Sequence, residues 1–193
     1  MVRQREFDEE RALDEAMQLF WEKGYKATSL SDLTKKMGIQ RPSLYSAFGD
    51  KEELFEAALR KYIKQHSFDI RKKLQNHQSV KEAFRMFFEE LVEEAYKENP
   101  SKGCFCINTM VELAPHDEKF EILTREHQMY LSVIFQEMIV TGINSGELKS
   151  SLNIKMLAQT LVVSLIGLTV LMKSRPDRSF VDNSVMMILS LLK

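Results

Sequence analysis

The sequence predicts an all-α protein. Its 193 residues include only 7 Gly and 4 Pro, too few for the turns of a multi-stranded chain, while Leu, Met, Glu, Lys and Ala, the stronger helix formers, are plentiful. Apolar residues recur at spacings of three and four, the period of one helical face. A Ser or Asp followed three residues later by an acid marks two helix starts.

The elements follow in order. Between Phe7 and Tyr25 the stripe Leu13, Ala16, Met17, Phe20 and Trp21 defines a first helix, stopped by Gly24. Ser29 with Asp32 opens a second, "LSDLTKKM", whose Leu30, Leu33 and Met37 point inward before Gly38 ends it. A third, very short helix covers Gln40 to Phe48. Pro42 is tolerated there because the first turn has no N–H bond to lose, and Leu44 and Phe48 form the apolar face. Gly49 closes it, and Asp50 with Glu53 opens a long fourth helix. Val80, Ala83, Phe84, Phe87, Phe88, Leu91, Val92 and Ala95 mark a fifth with a wide aromatic face, ended by Asn99 and Pro100. A sixth runs from about Lys102 to Ala114, where Pro115 breaks the pattern, and a seventh from about Asp117 to Asn144. Two more, roughly Asn153 to Lys173 and Phe180 to Leu192, are apolar on most sides and need covering. Short helices give way to long ones near Leu54, so the chain divides into residues 1–52 and 53–193, with the fourth helix shared between the two units.

Net charge is −1, so nucleic-acid binding requires a locally basic face. Between Lys23 and Lys51 there is one: Lys23, Lys26, Lys35, Lys36, Arg41 and Lys51 stand against Asp32 and Asp50, a net +4. The N-terminus has no apolar run of the secretory kind, and a cytoplasmic chain is expected. The uncharged run from Met156 to Met172 sits at the lower length limit for a membrane span, about 17 residues. Gln159, Thr160, Ser164, Gly167 and Thr169 interrupt it, so burial against protein is expected and no membrane partner.

Two short helices joined at a Gly-containing turn, with a first helix across them, form a helix-turn-helix, whose second helix lies in the DNA major groove. That helix needs an exposed polar face, which Arg41, Ser43, Tyr45 and Ser46 supply, while the helix starts at Ser29, Gln40 and Asp50 offer N–H groups to phosphates.

The stretch "ATSLSDLTKKMGIQRPSLYSAFGDKEELFEAAL" resembles the DNA-binding domain of TetR-type one-component transcriptional regulators, over Phe7 to about Leu59. The resemblance implies phosphate contacts from Thr28, Ser29, Tyr45 and Lys51, and base contacts from Arg41, Pro42 and Ser43. Pro42 departs from the small residue more usual at its position. The segment "KGCFCINTMVELAPHD" is similar to one lining the effector chamber in a subgroup of that family. The family further implies a homodimer held by the last two helices, a double-stranded palindromic operator, and a small apolar or aromatic effector. Effector binding would shift helices four and six and change the spacing of the two reading helices.

Twelve Phe and 11 Met suit an adaptable apolar cavity as well as an ordinary core. Candidate lining residues are Tyr62, Phe84, Phe87, Phe88, Cys104, Phe105, Asn108, Glu112, Met129 and Gln159. Cys104 and Cys106 follow the start of helix six, where the dipole lowers a thiol pKa, so an electrophile-sensing repressor is a second reading. Their side chains diverge by roughly 200° if the segment is helical, which argues against an intrachain disulfide. The four histidines show no metal-binding spacing, and no metal or other cofactor is expected. No nucleophile–base pair or phosphate loop points to an enzyme. A constitutive DNA-binding protein without effector also fits this pattern, as does a helical bundle that binds other proteins.

Overall fold

The computed structural model describes residues 7–97 and 102–193. Among them the regular elements are α-helices and one 3-10 turn: α1 (Glu9–Lys23), α2 (Leu30–Met37), α3 (Arg41–Phe48), α4 (Lys51–Gln75), α5 (Val80–Lys97), α6 (Phe105–Glu112), α7 (Glu118–Asn144), α8 (Ile154–Leu171) with the 3-10 turn Met172–Ser174, and α9 (Arg178–Ser190). The expected helix-five stop at Asn99 and Pro100 lies outside the described residues.

The starts are where the capping chemistry puts them. Ser29 accepts from Asp32 N while Asp32 accepts from Ser29 N, and Asp50 and Glu53 repeat the exchange at α4. Gly38 ends α2 in the left-handed conformation, φ 68°, which costs a residue without Cβ almost nothing. At α6 the expectation is corrected: the helix begins at Phe105, with Cys104 as N-cap. Capped by Asp8, α1 starts at Glu9, two residues after Phe7, and α9, capped by Asp177, starts at Arg178, two residues before Phe180.

Two apolar clusters fill the molecule. One joins α1–α3 and the first half of α4 to α6 and the start of α7; the other joins the rest of α4 and α7 to α5, α8 and α9. Phe55 on α4 holds the first together. Its ring packs edge-on against Phe20 of α1 (4.8 Å between centroids), Tyr25 (5.0 Å), Phe105 of α6 (5.2 Å) and Phe120 of α7 (5.4 Å), each pair worth about 0.5–1.5 kcal/mol beyond its buried area. The helix-turn-helix unit is thus packed directly onto α6 rather than tethered to it.

Glu147, after α7, reaches back to the N-terminus of α5 and accepts from Ser79 Oγ, Val80 N (2.7 Å) and Lys81 N (2.9 Å). Ile154–Ser174 is the one described stretch long and apolar enough to cross a bilayer. Its Leu157, Leu161, Leu165 and Leu168 are buried in the second cluster. Met156, Val163 and Val170 face outward, as do Met186 and Met187 on α9 and Leu191 just after it.

Candidate DNA interface and effector cavity

The polar face of α3 is open. Gln40, Arg41, Pro42, Tyr45 and Ser46 are exposed and Ser43 half-buried, while Leu44 is fully buried against α1, α2 and α4. Gln40 is the N-cap but makes no side-chain cap bond, which leaves the first N–H groups of α3 and the Gln40 amide available to a ligand. Of the six basic residues in this region, Lys23 pairs with Asp32 and Lys36 with Glu15, both at 3.4 Å. Lys26, Lys35 and Arg41 are exposed and make no ion pair among the described residues.

Two expected phosphate contacts sit differently. Thr28 is 1% exposed and its hydroxyl donates to Gly24 O at 2.6 Å; it shapes the α1–α2 turn and presents no hydroxyl to solvent. Lys51, the first residue of α4, lays its ammonium 4.2 Å from the centroid of the Tyr25 ring, and burial lowers its pKa despite the nearby Glu112. Ser29 is exposed at the start of α2, its hydroxyl donating to Asp32 (2.9 Å).

A cavity of about 290 Å³ opens between α1, α4, α5, α6, α7 and α8, lined by Trp21, Tyr62, His66, Phe87, Cys104, Ile107, His127 and Leu165 among others. Of the expected lining residues it gathers Tyr62, Phe87 and Cys104. The rest need correction. Phe84 and Phe88 are fully buried core, Phe84 edge-on to Phe135, and Phe105 belongs to the Phe55 cluster. Met129 is 64% exposed on α7 and Gln159 is exposed on α8, because the helix phase there turns Leu131 and Leu157 inward instead. Asn108 donates to Lys102 O (2.9 Å), leaving its buried Oδ1 unpartnered.

Glu112 lies at the far end of α6 from the cavity. Its carboxylate accepts from Tyr25 N (3.1 Å) and Lys26 N (2.8 Å), gripping the turn between α1 and α2. Gly24 makes room for it: φ is 82°, and a Cβ there would lie 2.8 Å from Glu112 Oε2. At the other end of α6, Trp21 Nε1 donates to Gly103 O at 3.0 Å, and Tyr62 lies beside Cys104 in the cavity wall. One short helix therefore has the cavity at its start and the helix-turn-helix unit at its end.

Sequence reasoning missed Trp21, His66 and His127 as cavity residues. His66 and His127 lie on different helices, far apart in sequence, and their rings meet at 5.4 Å only because α4 packs on α7. Burial lowers the pKa of His66 to about 4 and that of His127 to about 3, so both are neutral at neutral pH. Burial also raises both thiols, outweighing at Cys104 the opposing effects of the nearby Tyr62 and Lys173. The expected dipole-lowered thiol is thus reversed, and the buried thiols lack the thiolate character an electrophile sensor needs.

An exposed reading helix on a capped helix-turn-helix, packed onto a helical unit with an internal cavity, defines a one-component DNA-binding transcriptional regulator. Residues 12–58 match the family described as bacterial regulatory proteins, tetR family, and residues 80–185 the tetracyclin repressor-like C-terminal domain. The chain belongs to the tetR family. It is 33% identical over 193 residues, all of both chains, to the uncharacterized HTH-type transcriptional regulator YezE of Bacillus subtilis. It is 30% identical over 169 residues to the HTH-type transcriptional repressor ComR of Escherichia coli, covering 87% of this chain and 80% of ComR. Among solved structures, a cysteine mutant of the TetR-family regulator CifR, complexed with 26-base-pair operator DNA, superposes with a TM-score of 0.84 at 32% identity, covering 97% of this chain and 98% of CifR.

Proposed function

We propose that this protein is a homodimeric, cytoplasmic repressor that binds a palindromic double-stranded operator and leaves it when a small molecule occupies the cavity. Residues 1–52 read DNA, and residues 53–193 carry effector binding and dimerisation. Arg41, Pro42 and Ser43 face bases, with Gln40, Tyr45, Ser46, Ser29 and Lys51 on backbone phosphates. Thr28 acts indirectly, holding the turn through Gly24. The operator complex of CifR, similar in fold and at 32% identity, supports this assignment, and no catalytic role is assigned. The exposed stripe Met156, Val163, Val170, Met186 and Met187 is the dimer seam, which also accounts for the apolar character of α8 without a bilayer.

The observation that carries the effector part is α6 itself. Cys104 at its start lines the cavity, and Glu112 at its end holds the backbone of Tyr25 and Lys26. A ligand that moves the start of α6 pulls on the turn that orients α2 and α3. In a dimer whose reading helices must lie about 34 Å apart, a small rotation costs contacts in two grooves at once.

Selection of bound sequences from a random duplex pool tests the reading. A palindrome with half-sites about one helical turn apart is expected, bound with a steep salt dependence. Enrichment of no sequence, or of single asymmetric sites only, refutes it.

A further inference from the structure

We propose that His66, Cys104 and His127 form a transition-metal site for a borderline or soft cation of the Zn²⁺ or Cu⁺ class, and that an ion held there is a second effector, acting on operator binding from within the same cavity. The regulatory half of the proposal rests on the repressor reading above; the binding half does not.

The three residues come from three helices, α4, the N-cap of α6, and α7. A ring nitrogen of each histidine and the Cys104 sulfur all lie within 4.8 Å of one another, and all three residues line the cavity. Each histidine has one buried ring nitrogen without a hydrogen-bond partner, Nδ1 of His66 and Nε2 of His127. Buried polar atoms are nearly always satisfied, and His127 is only 1% exposed. Two ring nitrogens without a protein partner beside one thiol are a donor set that a single cation can share. The other nitrogen of His127, Nδ1, lies 3.4 Å from Ser67 Oγ. In the tautomer where Nδ1–H donates to that hydroxyl, Nε2 is the electron-pair donor, free to bind a metal.

The donor set selects the ion. Two imidazoles and one thiolate suit zinc and copper, whereas Mg²⁺ and Ca²⁺ require about six oxygen ligands. Each imidazole binds through a ring lone pair and keeps its N–H proton. The thiol must give one up: the S–H bond breaks, a metal–sulfur bond forms, the proton goes to solvent, and no electron is transferred. Burial keeps the free thiol protonated, with Tyr62 and Lys173 beside the sulfur opposing this only in part, so it is the arriving cation that displaces the proton. A fourth position stays open to the cavity, for water.

Bond lengths of about 2.0–2.3 Å place tetrahedral ligands about 3.3–3.7 Å apart, so filling the site draws donor atoms that now lie within 4.8 Å of one another closer by up to about 1 Å. That pull acts on the start of α6, whose far end carries Glu112, and on α4, which begins inside the DNA-reading unit. The ion thus acts on the elements that set the pose of the reading helix.

The test uses full-length, chelator-stripped protein, Zn²⁺ titrated against a chromogenic chelator, proton release, and operator binding by fluorescence anisotropy. One Zn²⁺ per chain with release of a proton is expected, with Mg²⁺ inert. Cys104→Ser and His127→Gln should each weaken Zn²⁺ binding by at least about a hundredfold, and Cys106→Ser should leave it unchanged. If circular dichroism shows either variant unfolded, His66→Gln at the half-buried ligand replaces it. Repeating the titration with Cu⁺ under reducing conditions decides between the ions, and either one held by these residues supports the site. Absence of binding for both ions, or binding indifferent to these substitutions, overturns it. In the operator arm, Zn²⁺ or Cu⁺ should lower wild-type operator affinity by about tenfold or more. Metal and operator that bind without affecting each other overturn the effector role alone. A chain that binds no operator at all overturns the repressor reading, and the metal site then stands or falls on its stoichiometry.

Discussion

Removing the Glu112 carboxylate should loosen the turn that aims the reading helix, and the structure gives the size of the effect. Glu112 accepts two backbone N–H bonds, from Tyr25 at 3.1 Å and Lys26 at 2.8 Å. A bond to a charged group contributes about 1.5–3 kcal/mol. Both donors lie near solvent, where water replaces part of the loss, so about 1–1.5 kcal/mol per bond is the reasonable figure. Glu112→Ala should then cost about 2–3 kcal/mol, and for a chain of this size lower Tm by about 5–10 °C. Amide exchange is a more specific assay. Lys26 is exposed, and its N–H has Glu112 as its acceptor, so losing about 1.4 kcal/mol should speed its exchange roughly tenfold. The amides of Leu54 and Phe55 in the buried core should slow or quicken only with global stability. Glu112→Gln keeps one carbonyl oxygen and should fall midway. If Glu112→Ala leaves both Tm and Lys26 exchange at wild-type values, the carboxylate does not hold this turn and α6 is not the link proposed.

Further outcomes follow from the other contacts. Arg41→Ala should change which operator sequence is preferred, read by competition between half-site variants, whereas Lys51→Ala should weaken all sequences and flatten the salt slope by about 0.9 per subunit. Val163→Glu and Met187→Glu place a charge on the exposed stripe of α8 and α9 and should give monomer or aggregate in light scattering; a wild-type monomer at micromolar concentration would refute the seam. Glu147→Ala should destabilise by about 1–2 kcal/mol by uncapping α5, measured by urea unfolding. Burial raises the Glu147 carboxyl, but hydrogen bonds from Ser79, Lys81 and Val80 outweigh it and leave the pKa lowered. A lowered acid stabilises the fold above its unfolded pKa, near 4.5, and that contribution is lost as pH falls through the folded value. Wild type should therefore lose more stability than Glu147→Ala on acidification below that pH.

The sequence by itself determined what short-range chemistry controls. The capping boxes at Ser29–Asp32 and Asp50–Glu53, the glycine stops at 24, 38 and 49, and Pro42 in a first turn each act within four residues, so α1 to α4 and the open face of α3 were legible before any packing was known. The basic count between Lys23 and Lys51 needed no coordinates either. What tertiary structure decided is everything that depends on helices meeting. Glu112 reads as a cavity residue in sequence and becomes the grip on Tyr25 and Lys26, 87 and 86 positions away. Phe105, equally plausible as cavity lining, packs into the Phe55 cluster, and Thr28 turns its hydroxyl inward to Gly24. His66 and His127 carry no mutual signal, because no local period links α4 to α7; only the packing of those two long helices brings the rings to 5.4 Å and buries them beside Cys104. Caps and stops are set by backbone groups a turn apart, whereas a cavity is whatever space remains when distant side chains have packed, and so it is fixed only by the fold as a whole.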